Sequence, residues 1–283
     1  MQNCKNGGIK LKNNKTLSGK IAACPHILWA VMFIILPLVF VIYFSFTTTD
    51  GNFTFDNIKA LSEHGQTFGL SVSLSVIATF FCFILGYPLA YIMAKSSKNG
   101  QKILIMLLML PMWTNLLIRT YSMMAIMDDG GILNGLLTAA GLGKVHLIGT
   151  KGAVIFGMAY DFFPYMVLPI YTSVSKIDKS LIEAAHDLGG SHLNVLSKVI
   201  LPLSSSGIIS GITMVFVPSI STFYISQKLG GGTFDLLGDT IERQFQNVNT
   251  YNTGAAISLV MMVLVLLSLW VMNRFTDNEG GMN

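Results

Sequence analysis

The sequence predicts an all-α membrane protein with six transmembrane helices, and three observations predict it. Hydrophobic residues make up 52% of the 283-residue chain and charged residues only 11%, against about 25% charged in an ordinary soluble domain. Mean hydropathy is +0.61, so a bilayer rather than water is the natural solvent. The apolar residues also gather into six long runs separated by polar, glycine-rich or lysine-bearing stretches, and about twenty apolar residues suffice to cross the hydrocarbon core.

Residues 1–25 are rich in Lys, Asn and Gly and read as a basic cytoplasmic tail, with Lys5, Lys10, Lys12, Lys15 and Lys20 close together. Ile27 to Phe46 is the first run. A basic flank before an apolar run also describes a signal peptide, but this run is long. The sequence after it, Ser45-Phe46-Thr47-Thr48-Thr49-Asp50, has no small-x-small cleavage site, so a retained helix is expected. Asp50 to Gly65 is an acidic loop. Phe68 to Ala94 is the second span, followed by a short basic loop with Lys95, Lys98 and Lys102. Ile103 to Ile126 is the third, with Pro111 inside. A glycine-rich loop opening on Asp128-Asp129 leads to the fourth span, Ala153 to Tyr171, which holds Pro164 and Pro169. The polar segment Ser180 to Pro202 follows. Ile208 to Ile225 is the fifth span, with Pro218 inside. Gln227 to Thr250 is a loop with Gly230-Gly231-Gly232 and a short helix over Asp239 to Val248, and Thr253 to Met272 is the sixth span. A single six-span domain over 26–275 and a polar tail over 276–283 complete the expected organisation.

An even number of spans puts both termini on one side. With the N-terminal tail inside, twelve Lys/Arg fall in cytoplasmic segments and five in outer ones. The positive-inside rule therefore places both termini and the 180–202 segment in the cytoplasm. The outer loops hold eight acidic residues. Proline inside the spans predicts bent helices whose freed carbonyls face neighbouring helices or a water-filled path rather than lipid.

Within 180–202, Ser180 and Glu183 have the spacing of a capping box. Leu181, Ile182, Ala184, Ala185 and Leu188 give a small apolar face, Gly189-Gly190 a left-handed exit, and Ser191 a cap for a second helix, with Pro202 as a boundary. The segment reads as two short helices joined by a turn, a rigid knuckle against which a soluble partner can push.

Other constellations are few. Arg119 and Asp161 lie at matching depth in spans three and four. They read either as a structural ion pair, or with Asp161 facing a pathway for a cationic solute, or with both nearer the interface. Tyr160, Phe162, Phe163 and Tyr165 flank the aspartate, and aromatic faces hold ammonium groups by cation–π attraction; packing at the interface explains them equally well. The pathway candidates are Asp161, Tyr160, Tyr165 and Trp113. The three consecutive glycines lack the Gly-Lys-Ser/Thr ending of a phosphate loop. Cys4, Cys24 and Cys82 form no pattern of metal or disulfide chemistry, and no catalytic constellation is visible. No cofactor, metal or nucleic acid is expected on this chain.

Glu183-Ala184-Ala185, then Gly189, then Ile200-Leu201-Pro202, resembles the Glu-Ala-Ala signature of ABC-importer permeases, with every signature position filled. The resemblance extends over about residues 25–275. Pro111-Met112-Trp113, Arg119-Thr120-Tyr121, Leu168-Pro169-Ile170-Tyr171 and Lys176-Ile177-Asp178 make it most similar to first permease subunits of spermidine/putrescine importers. The resemblance implies a type I importer permease fold in a bacterial inner membrane. It implies a coupling helix carrying Glu183, Ala184, Ala185, Gly189, Leu201 and Pro202 that docks on a cytoplasmic ATPase dimer holding ATP and Mg. It also implies a second permease subunit, as a heterodimer, and an extracytoplasmic polyamine-binding protein. Import of iron, thiamine or an oxyanion stays open, as, from other classes, do a passive channel and an intramembrane enzyme.

Overall fold

The computed structural model describes residues 25–280, which form helices joined by loops, with one isolated bridge between Thr47 and Phe53. The lysine-rich leader expected at the N-terminus falls almost wholly outside the described residues. Four helices are long and apolar enough to cross a membrane, and two bent helix pairs bring the number to six if each pair is one span.

In chain order, α1 is Pro25–Ser45, α2 is Gly65–Lys95, α3 is Lys98–Met109, α4 is Leu116–Met127 and α5 is Ile132–Ala139. They are followed by α6, Lys151–Val174, α7, Lys179–Asp187, α8, His192–Leu203, and α9, Ser205–Ser221. Last come α10, Tyr224–Leu229, α11, Leu237–Gln246, and α12, Tyr251–Gly280.

The third span differs from a single helix over Ile103 to Ile126. Pro111 sits in a 3-10 turn, Leu110–Trp113, and the chain turns by 92° between the helices on either side. Proline has no N–H to continue the helix, and Asn115 restarts it by accepting the Leu117 N–H at 2.7 Å. The fifth span is shorter than expected: α9 stops at Ser221, Thr222 is extended, and Tyr224 to Leu229 forms the separate α10. At the other end α12 runs on to Gly280, through residues read as the start of a polar tail.

The core is built on α2, α6 and α9. Its inner half joins Cys82, Tyr87, Ala90 and Met93 of α2 to Met166, Val167 and Ile170 of α6 and to Val195, Ile200 and Val215. Its outer half joins Leu74 and Ala78 to Val154 and Met158, to Met123 of α4, and to Ile225 and Leu229 of α10. Two glycines one turn apart let α9 lie against α6. A Cβ at Gly207 would meet the Pro169 carbonyl oxygen at 2.7 Å, and one at Gly211 the Met166 sulfur at 2.9 Å. Small residues at this spacing are how membrane helices approach closely where no hydrophobic effect drives them together. No residue of α1's apolar window is buried. Its end meets α12 where Phe44 packs edge-on against Tyr251, with ring centroids 5.1 Å apart.

Candidate functional site

Asp178, not Ser180, caps α7: its Oδ1 accepts the Ser180 N–H at 3.0 Å. Ser180 therefore lies inside the first turn, and the capping box expected of Ser180 and Glu183 does not form. The Ser180 bonds hold the Asp178 carboxyl below its ordinary pKa of 3.8, as expected for an anion at a helix N-terminus. At the other end the glycine exit is as the sequence predicts. Gly189 has φ +81°, its N–H donates to the His186 carbonyl at 2.8 Å, and the Gly190 N–H donates to the Ala185 carbonyl at 3.0 Å. This pair of bonds is the Schellman closure. The side chain of His186 braces it: Nδ1 is 3.0 Å from the Gly190 carbonyl oxygen, and the ring meets that of His192 edge-on at 4.9 Å. Ser191 then caps α8, accepting the Asn194 N–H at 3.3 Å.

The knuckle is seated on the core from one side and open on the other. Ile177, Ile182 and Ala185 pack against the inner core, where Val195 and Ile200 are buried. Glu183, Ala184 and Gly189 are exposed. Leu188 is 90% and Leu193 77% exposed, an apolar edge that water leaves unpartnered. Leu201 and Pro202 lie at the bend of 69° between α8 and α9. Next to that bend the buried Ser204 hydroxyl meets the Tyr87 hydroxyl of α2 at 3.1 Å. The knuckle is thus tied to a helix of the transmembrane core.

Arg119 and Asp161 come together in the membrane. Arg119 Nε stands 2.5 Å from Asp161 Oδ1 with the two side chains 11% and 1% exposed, and Arg119 Nη1 donates to the Pro111 carbonyl at 3.2 Å. The ion pair links α4 to α6 and ties α4 back to the 3-10 turn. Asp161 Oδ2 accepts no hydrogen bond among the described residues. The other pathway candidates do not converge on it. Tyr160 and Tyr165 lie on the open face of α6, and Trp113 is 76% exposed on the broken span. Tyr160 lines a cavity with Thr114, Arg119, Ser122 and Phe156, beside the arginine of the ion pair. Tyr165 lines a groove toward the knuckle end with Thr172, Ser206, Ser210 and Lys176. The four candidates thus form no single site: Asp161 is buried, Tyr160 shares a cavity with Arg119, and Tyr165 lies in a separate groove. Composition offered no way to find the α6–α9 groove, because serine on a membrane helix signals packing and polar lining alike.

Residues 75–278 match the family of binding-protein-dependent transport system inner membrane components, and the chain belongs to that family. It is therefore a multi-pass inner-membrane transport subunit that works with a binding protein. Relatives include the spermidine/putrescine transport system permease protein PotB of Escherichia coli K12. That protein is 37% identical over 264 residues, which span 89% of this chain and 96% of the relative. PotB of Haemophilus influenzae is 36% identical over 276 residues, 94% of this chain and 96% of the relative. Among solved structures, a chain of a bacterial alginate ABC transporter in complex with an alginate-bound periplasmic protein superposes with a TM-score of 0.78. The match covers 92% of this chain and 94% of that one at 17% identity, a likeness of fold.

Proposed function

We propose that this chain is a membrane-spanning subunit of an ATP-driven polyamine importer, taking spermidine or putrescine inward. The observation that carries the reading is the knuckle of α7 and α8: a capped helix and Schellman turn with exposed Glu183 and Ala184 and an uncovered leucine edge. Such a surface fits a groove on a cytoplasmic ATPase dimer, where ATP and Mg would be held. The similarity to the two PotB proteins over about nine-tenths of the chain supports polyamine over iron, thiamine or an oxyanion. A second permease subunit, forming a heterodimer, and a polyamine-binding protein outside complete the assembly. Both termini then lie in the cytoplasm.

Movement of the ATPase pair would press on Glu183, Ala184, Ala185 and Gly189 and reach α9 and α2 through Leu201, Pro202 and the Tyr87–Ser204 contact. Nucleotide shifts the equilibrium between outward- and inward-open forms only by binding one of them better. The buried Arg119–Asp161 pair serves in this reading as a brace that keeps α4 and α6 moving together. The test is uptake of labelled spermidine by cells with and without this chain, in a strain free of other polyamine importers. Loss of uptake that putrescine competes and thiamine or ferric iron does not is the expected result. Unchanged uptake in cells lacking the chain removes polyamine as its cargo.

A further inference from the structure

At the outer ends of spans five and six, α11 lies across α12 and the end of α9 and leaves a cavity of about 380 Å³. Phe223, Ile241, Phe245 and Met261 form its apolar wall, and Glu242 is the one charged group that lines it. The Glu242 carboxylate is held at both oxygens by neutral amides. Oε2 accepts from Gln227 Nε2, and Oε1 accepts from Gln246 Nε2 at 3.0 Å. The neighbouring charges are turned elsewhere. Asp239, one turn earlier, accepts from Ser226 and the Leu236 N–H. Arg243 is engaged by Asp235 at 2.6 Å, and Lys228 stands over the rings of Tyr121 and Tyr224 at 5.3 and 5.8 Å.

A carboxylate fixed by amides has lone pairs left for a further donor. Lying outside the spans at the wall of this cavity, such a group presents a fixed acceptor to a cation. Aromatic walls beside it suit methylene groups and add cation–π attraction to an ammonium. We propose that this cavity is an outer amine subsite. Glu242 takes a terminal primary ammonium group, while Phe223 and Phe245 pack along the carbon chain behind it. The inference rests on the polyamine reading and deepens it, by naming where cargo handed over by the binding protein is first held.

The experiment uses the whole transporter in proteoliposomes, supplied with saturating spermidine-loaded binding protein, and reads spermidine moved and ATP hydrolysed in the same vesicles. Glu242→Gln keeps the size of the side chain and removes its charge. The expected result is an uptake rate lowered about tenfold, as for loss of one charged hydrogen bond, with hydrolysis still stimulated by loaded binding protein. Glu242→Asp should recover much of the uptake. Wild-type uptake per ATP in Glu242→Gln overturns the subsite and leaves the importer reading in place. A parallel loss of uptake, hydrolysis and subunit co-purification also overturns it, by showing a structural role. If the unaltered transporter moves no spermidine, the polyamine reading falls and takes the subsite with it.

Discussion

A Cβ placed on Gly190 would stand 2.6 Å from the Ala185 carbonyl oxygen, whereas at Gly189, with φ +81°, it meets nothing within 4 Å. The two glycines of the turn are needed for different reasons, one for space and one for the left-handed backbone, which costs about 1–2 kcal/mol in other residues. Gly190→Ala is therefore expected to lower uptake more than Gly189→Ala, at equal amounts of inserted protein on a membrane blot. Gly189→Asp is expected to abolish uptake without blocking insertion, because Asp tolerates this backbone region and its new charge falls on the docking face. In the membrane, removing either Arg119 or Asp161 leaves its partner buried and unpaired, at a cost of about 3–5 kcal/mol. Thermal midpoints of detergent-solubilised Arg119→Gln and Asp161→Asn should fall well below the wild type, with the double variant regaining part of the loss. A double variant no more stable than the worse single one counts against the brace.

Outside the spans, burial raises the Asp239 carboxyl to about 6 against the hydrogen bonds from Leu236 and Ser226. A raised folded-state pKa stabilises the fold fully below the ordinary value of 3.8, and that contribution is lost as pH rises through about 6. The α10–α11 region should therefore be more resistant to proteolysis at about pH 5 than at about pH 7.5, and Asp239→Asn should shrink that difference. The same slope in wild type and variant contradicts the assignment.

Among the elements, those punctuated by residues with one local meaning were legible in the sequence. The Gly189-Gly190 exit, the Ser191 cap and the positions of the first, second, fourth and sixth spans belong to this group. The cap of α7 was misplaced because Ser180 and Asp178 are both good capping residues two positions apart, and the backbone alone decides between them. Pro111 signalled a bend in the third span but not a full break at Thr114, and the break at Thr222 escaped because an apolar run looks the same whether its helix is whole or folded back. The close packing of α9 on α6 was present as Gly207-x-x-x-Gly211, but its meaning depends on a partner far along the chain. Gly207→Leu and Gly211→Leu should each separate these helices and reduce the amount of folded protein recovered from membranes, measured by fluorescence size-exclusion. Wild-type recovery of both contradicts the close contact.

For the molecule as a whole, the knuckle sits at one end of a packed set, α2, α6 and α9, joined by the Tyr87–Ser204 contact and the shared core. The Arg119–Asp161 pair extends that set to α4. Motion imposed at the knuckle thus has a packed route along these helices. The apolar window of α1, none of it buried, and the uncovered leucines on the knuckle are surfaces that a lipid bilayer and partner subunits would cover. The most direct measurement is spermidine accumulation against its gradient in proteoliposomes holding the whole transporter, with and without ATP. The expected result is accumulation that requires ATP and loaded binding protein and is lost in Gly189→Asp. Accumulation unaffected by ATP, or intact in Gly189→Asp, would contradict energy transfer through this segment.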